Sequence, residues 1–174
     1  MKRFLAVDER LSARLRVAEK PGLLRTAAVF VGHSGDSWFW IAALAIIYFT
    51  GPDYWKSRAL VLAVGIGLTA LAVMAIKFTV RRKRPEGELG KIYRRTDPHS
   101  FPSGHAARAV MLAVVAIGLG PVWLGSLLAI WAIAVVLARV LMGVHYLSDV
   151  LAGALLGGLM GYLVLLLTAG WVKF

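Results

Sequence analysis

Cysteine is absent from all 174 residues. That excludes a disulfide framework and any thiolate metal site, and it selects no cellular compartment. Acids are scarce as well: nine Asp and Glu stand against 20 Lys and Arg, for a formal charge of +11. Charged residues make up 17% of the chain and hydrophobic residues 59%, where a soluble domain averages about 25% and roughly 45–50%. Such a composition excludes an ordinary soluble globule and low-complexity disorder. One domain is the expectation at this length. The surplus of cations calls for an anionic partner, and the apolar content argues for lipid head groups or a phosphorylated substrate rather than nucleic acid.

What the chain has in quantity is long apolar runs. A membrane-spanning helix needs ~20 mostly apolar residues. Ala59–Ile76, Val122–Ala138 and Val150–Val172 each contain no charge. Ala109–Leu119 is shorter and reaches span length if it extends back to Ser103 with Arg108 inside a protein bundle. Ser37–Thr50 is short too, with Trp38, Trp40 and Tyr48 placed as interfacial anchors. The reading is an all-α, polytopic transmembrane bundle of about five spans. Before it, residues 1–27 form an amphipathic helix, with Phe4, Leu11, Leu15 and Ala18 at helical spacing and a break at Pro21-Gly22. This segment either lies on anionic phospholipids or caps the bundle. It is not a cleavable signal peptide, because Asp8, Glu9, Arg10, Arg14 and Arg16 leave no apolar stretch. Residues 28–174 are then the membrane domain.

One basic loop, 81–101, interrupts the apolar pattern. It carries Arg81, Arg82, Lys83, Arg84, Lys91, Arg94 and Arg95. Gly87 and Gly90 suggest that it is flexible. If spans alternate in direction, four polar clusters fall at one face of the membrane: Lys77–Arg84, Ser103–His105, Arg139, and His145–Asp149. Ionisable groups at the ends of apolar spans are expensive and mark functional sites by default.

Local spacing assigns chemistry. His145 and Asp149 are four apart on one helix, and helical side chains lean N-terminally, so Asp149 leans toward His145. A carboxylate on one ring nitrogen fixes the tautomer and leaves the other nitrogen free to attack. Gly153, Gly157 and Gly161 continue that stripe and favour close helix packing. Pro102-Ser103-Gly104-His105 opens a helix whose free N–H groups can hold an anion. Lys77 and Arg84 share a face if helix continues to Pro85.

Lys77-x6-Arg84-Pro85, Pro102-Ser103-Gly104-His105 and Arg139-x5-His145-x3-Asp149, in this order, resemble the three signature motifs of the type-2 phosphatidic acid phosphatase superfamily. The resemblance runs from about Lys77 to Asp149 and implies a metal-independent, cofactor-free lipid phosphatase. It implies His145 as nucleophile, Asp149 as its orienting partner and His105 as general acid. Lys77, Arg84, Ser103, Gly104 and Arg139 become the phosphate clamp. The substrate is a lipid phosphomonoester or pyrophosphate, cleaved through a phosphohistidine. Two departures stand out: Ala138 precedes Arg139 where the family usually has serine, and many relatives have six spans. His33, His99 and Arg108 match no signature position. Arg108, one turn after His105, is placed to bind substrate or to pair with an acid. A non-enzymatic transporter or binding protein for anionic lipids explains the spans and the charge, but not two facing histidines.

Location follows from the spans: a multi-pass protein of the cell (inner) membrane. For orientation, 14 cations on the active-site side oppose Lys56, Arg58 and Lys173 on the other. The positive-inside rule puts the site in the cytoplasm, whereas the family resemblance favours the periplasm.

Overall fold

The computed structural model describes residues 2–170, apart from the side chains of Lys2, Phe4 and Ile92. Lys173, used in the charge count, and the end of the last apolar run lie outside the described residues. The chain forms eight α-helices in this region: α1 Lys2–Leu15, α2 Leu23–Ser34, α3 Ser37–Thr50, α4 Asp53–Val80, α5 Lys91–Thr96, α6 Gly104–Leu119, α7 Val122–Leu141 and α8 Leu147–Thr168. Three of them, α4, α7 and α8, are long and apolar enough to cross a membrane singly.

The first span is not Ser37–Thr50 alone. Helices α2 and α3 qualify only together, as a pair bent by 52°. The break falls at Gly35-Asp36, where the chain leaves helical geometry. Helix α2 also runs across residue 27, so the N-terminal segment and the bundle share a helix.

Helix α6 has 16 residues, a length of about 24 Å, short of the ~30 Å hydrocarbon core. It compensates by being the most enclosed helix. Ala106, Ala107, Met111, Leu112 and Val115 are fully buried between α4, α7 and α8. A short helix jacketed by protein needs no lipid-matching length, and its N-terminus can end inside the bundle. The glycines of α8 make this packing possible. A Cβ on Gly153 would lie 2.4 Å from the Ser103 carbonyl oxygen, and one on Gly157 2.2 Å from that of Ala107. Both obstacles are backbone, which cannot swing away, so the stripe is a packing feature. The Ser103 N–H donates to the Asp149 carbonyl at 2.9 Å, tying the start of α6 to the start of α8.

Helix α4 spans 28 residues, about 42 Å, which carries Lys77 beyond its apolar middle to the polar end. It stops at Val80 because Arg81 turns left-handed, with φ 52°. Helix therefore does not continue to Pro85, and Arg84 reaches the site from extended chain.

Helix α1 docks in an unexpected way. Leu11 and Leu15 are exposed, while Asp8 and Ser12 are buried. The Ser12 hydroxyl accepts from the Leu147 N–H at 2.8 Å, and the Asp8 carboxylate accepts from the Ser148 N–H at 3.0 Å and the Ser148 hydroxyl at 2.5 Å. Helix N-termini leave such N–H groups without intrahelical partners. Side chains from a distant helix thus cap α8, and the apolar residues of α1 are left outward. The basic loop is likewise ordered. Arg94 donates to the carbonyls of Pro85 and Gly87, both at 2.9 Å, and Lys83 bridges to His99. These bonds tie down the two-glycine segment that looked flexible.

Candidate active site

Three of the four polar clusters line a cavity of about 170 Å³ at one end of the bundle, and the fourth, Arg139, is buried near enough for its charge to act on His145. Lys77, Arg84, Asp97, Gly104, His105, Arg108 and His145 line its polar side, and Ile66, Ala70, Val73 and Met74 of α4 its apolar side. Gly143, with φ +66°, makes the turn that redirects the chain from α7 to His145.

His145 is buried, and its Nε2 lies 3.1 Å from Nη1 of Arg84. A guanidinium only donates, so Nε2 must be the unprotonated nitrogen, with its lone pair available. The ring proton then sits on Nδ1, which is 3.5 Å from Asp149 Oδ2 and has no hydrogen-bond partner. Burial, then the charges of Arg84, Arg139 and Lys77, push His145 well below the usual imidazole range. It is therefore held neutral, with one ring nitrogen free to attack an electrophile.

Asp149 is fully buried and held at both oxygens. Oδ2 accepts from the Tyr146 N–H at 2.9 Å, and Oδ1 from Arg82 at 2.8 Å. Arg82 also pairs with Asp8 at 2.7 Å and stacks on Tyr146, 3.8 Å from the ring centroid. The loop cation read from the sequence as one of seven is thus the anchor of the His–Asp pair.

Lys77 and Arg84 do converge, on Asp97. Lys77 pairs with its carboxylate. Arg84 Nη2 does so at 2.7 Å, while Arg84 Nε donates to the Asp97 carbonyl at 2.6 Å. Burial alone would raise the Asp97 pKa, but the hydrogen bond and charge of Lys77, then the charge of Arg84, hold it below the ordinary carboxylate value. A carboxylate therefore already sits between the two cations.

Arg139 is fully buried on α7. Its Nη1 donates to the Tyr93 hydroxyl at 3.3 Å, and its guanidinium lies 4.8 Å from the Tyr93 ring centroid. Nε and Nη2 have no partner. Leaving such donors buried and unpaired costs about 1–3 kcal/mol each, a cost removed by a ligand that supplies the acceptors.

Ser103 N-caps α6, its hydroxyl 3.5 Å from the Ala106 N–H. Gly104 borders the cavity, and a Cβ there would touch only Val73, at 3.5 Å. The space beside its backbone is therefore open to the cavity. His105 follows, with Nε2 2.5 Å from Asp36 Oδ1. Arg108 forms no ion pair among the described residues and instead donates to the Gly35 carbonyl and the Ser37 hydroxyl. His99 packs edge-on to Phe78, outside the set lining the cavity.

Every residue singled out for the site in the sequence is therefore at this end of the bundle. Asp36, Asp97, Arg82 and Tyr93 contact these side chains, and sequence reasoning did not place them at the site. Asp36 did carry a signal, as an acid between two apolar stretches. Among the described residues, no three His, Asp or Glu side chains gather in a metal-holding cluster.

Comparison with known proteins follows the same motifs. The pattern of the PAP2 superfamily matches residues 58–173. An undecaprenyl-diphosphatase of Sulfolobus acidocaldarius is 32% identical over 145 residues, 78% of this chain and 66% of that protein. The chain thus spans just under two thirds of that relative's length. A decaprenylphosphoryl-5-phosphoribose phosphatase of Mycobacterium tuberculosis is 32% identical over 153 residues, 85% of this chain and 82% of that one. Among solved structures, the transmembrane PAP2-type phosphatidylglycerolphosphate phosphatase of Bacillus subtilis superposes with a TM-score of 0.80 at 24% identity, covering 100% of this chain and 90% of that one. That likeness shows the fold.

Proposed function

The chain belongs to the PAP2 superfamily and is a membrane lipid phosphatase, and from that premise we propose that it cleaves a lipid phosphomonoester or pyrophosphate through a phosphohistidine on His145. The non-enzymatic lipid-binding reading gives way to this one. The observation that carries the mechanism is the pair of imidazoles, His145 and His105, on one cavity, each against its own carboxylate.

The head group enters the polar side of the cavity while the tail follows the apolar wall of α4 into the bilayer. Phosphate oxygens displace the Asp97 carboxylate from Lys77 and Arg84 and supply the acceptors that Arg139 lacks. The open backbone at Gly104, with the positive end of α6, takes a further oxygen. His145 Nε2 then attacks phosphorus in line, while the developing imidazolium proton on Nδ1 faces Asp149. The clamp neutralises charge on the equatorial oxygens, where phosphoryl-transfer catalysis chiefly acts. His105 protonates the leaving oxygen and afterwards takes a proton from the water that cleaves the phosphorus–nitrogen bond.

Phosphate release from a detergent-solubilised panel of lipid phosphates tests this. The panel spans diacyl phosphomonoesters, polyprenyl pyrophosphate and a polyprenyl-phosphosugar phosphate. Activity is expected on at least one class, undiminished in excess EDTA and inhibited by vanadate, which takes five-coordinate geometry opposite His145. Loss with chelator and recovery with Mg²⁺ would overturn the metal-independent route.

The charge distribution supports a site facing the cytoplasm of a cell-membrane protein. Glu88, its side chain 64% exposed, marks the active-site end, and Asp53, 98% exposed, the other. In intact cells, a membrane-impermeant thiol reagent should label Asp53→Cys and spare Glu88→Cys. The reverse pattern would put the site on the outer face. With most of α1's apolar side chains turned outward, the N-terminal helix is also placed to lie in the anionic head-group layer.

A further inference from the structure

The first span carries an acid at its break, and the mechanism above sets it against His105 without giving it a part in the proton transfers. Asp36 is held there by both oxygens: Oδ1 lies 2.5 Å from His105 Nε2, and Oδ2 3.1 Å from His33 Nδ1. A carboxylate in a membrane span is expensive and is retained for function by default. The break itself is fastened to its neighbours. Arg108 of α6 donates to the Gly35 carbonyl at 3.0 Å and the Ser37 hydroxyl at 2.6 Å. The indole N–H of Trp40 donates to the Ser34 carbonyl at 3.0 Å, and that of Trp131 to the Ser34 hydroxyl at 2.8 Å. Four bonds, three of them from Arg108 and α7, thus fix the chain on either side of one aspartate. The bend is an arrangement that presents Asp36 to His105.

We propose that Asp36 is the positioning residue of the general acid, holding the His105 ring through Nε2 so that Nδ1 serves the reacting oxygens. The inference rests on the phosphohistidine reading. It makes the site a pair of carboxylate-oriented imidazoles used through opposite nitrogens: His145 keeps Nδ1 on Asp149 and attacks with Nε2, and His105 keeps Nε2 on Asp36 and exchanges protons at Nδ1. A carboxylate on the far nitrogen fixes the tautomer and stabilises the imidazolium that donates. In the first step the His145 Nε2–phosphorus bond forms, the phosphorus–oxygen bond breaks, and the His105 Nδ1 proton passes to the leaving oxygen. In the second, water gives its proton to His105 Nδ1 and its oxygen to phosphorus, and the phosphorus–nitrogen bond breaks.

Leaving-group dependence separates positioning of an acid from mere support of the fold. An alkyl lipid phosphomonoester needs the proton, whereas p-nitrophenyl phosphate has a leaving group that departs without it. Asp36→Asn should lower kcat on the lipid by about 10²–10³-fold, within the range that general acid catalysis supplies. Its rate of phosphohistidine labelling from ³²P-labelled p-nitrophenyl phosphate, quenched in base, should stay within a few-fold of wild type. The label should also persist longer, because hydrolysis needs His105 as base. Asp36→Glu, which restores the carboxylate, should recover part of the lipid turnover. Equal losses on both substrates, including loss of labelling altogether, would make Asp36 a structural residue and overturn the proposal; so would an unaffected Asp36→Asn. Failure of the underlying phosphohistidine reading shows separately, as an absence of label in the wild-type protein.

Discussion

His145→Ala should leave no acid-labile phosphoryl label on the protein and should reduce turnover on the order of 10⁴–10⁶-fold, the scale on which hydrolases lose activity when their nucleophile is deleted. The wild-type protein, quenched in base after mixing with ³²P-labelled lipid substrate, should carry label that acid removes. The argument starts from Arg84. Because its Nη1 sits 3.1 Å from Nε2 and can only donate, the lone pair of His145 points to the clamp side of the ring. Substrate phosphate bound by Arg84 therefore meets that lone pair. No other imidazole touches the clamp in this way: His105 directs a nitrogen to Asp36, and His33 directs one to the same carboxylate. Label retained by His145→Ala would refute the assignment. The variant should still fold, since the ring makes no hydrogen bond that α7 or α8 needs for its own backbone.

The motif residues were legible because their chemistry is local. His145 and Asp149 are four apart, and Ser103-Gly104-His105 begins a helix, so spacing alone placed them. The spans were legible because apolar runs without charge have few alternatives. What the sequence hid were pairings over long separations. Asp36 meets His105 across 69 residues, and Arg82 meets Asp149 across 67. No periodicity records such contacts. The first span was obscured because its two halves, each short, are joined only across the Gly35-Asp36 break. Helix α1 turns on a different point. Its apolar spacing left a lipid-surface helix and a bundle cap both open, and spacing could not show that the Leu147 and Ser148 N–H groups at the start of α8 take their acceptors from Ser12 and Asp8. Unsatisfied donors, rather than apolar area, decided which side of α1 turns inward. Arg84 illustrates a near miss: the helix ends at Val80, short of the Pro85 that the spacing argument requires, and the extended chain still delivers the guanidinium to the same partner as Lys77.

Asp149→Asn should lower kcat by about 10⁴-fold, the loss seen when the orienting carboxylate of a serine-protease triad becomes an amide, with a smaller change in KM. The carboxylate accepts from Arg82 at Oδ1 and from the Tyr146 N–H at Oδ2, and the Nδ1–H of His145 faces Oδ2 at 3.5 Å. An amide has one oxygen and one NH₂. If its oxygen stays on Arg82, the NH₂ confronts both the Tyr146 N–H and Nδ1–H. The imidazole escapes by moving its proton to Nε2. That places an N–H against the Arg84 guanidinium and removes the lone pair that attacks phosphorus. If the amide turns over, the NH₂ faces Arg82 instead, and the anchor that joins the loop to α8 is lost. Both arrangements spoil the nucleophile, one through its tautomer and one through its position. Two measurements distinguish this from simple unfolding. Vanadate should still protect Asp149→Asn against thermal denaturation, because Lys77, Arg84 and Arg139 are untouched. The rate of His145 labelling, even from p-nitrophenyl phosphate, should fall with kcat. That second result is opposite to the one expected for Asp36→Asn, whose defect lies with the leaving group. Labelling of Asp149→Asn at the wild-type rate would show that His145 needs no carboxylate to attack.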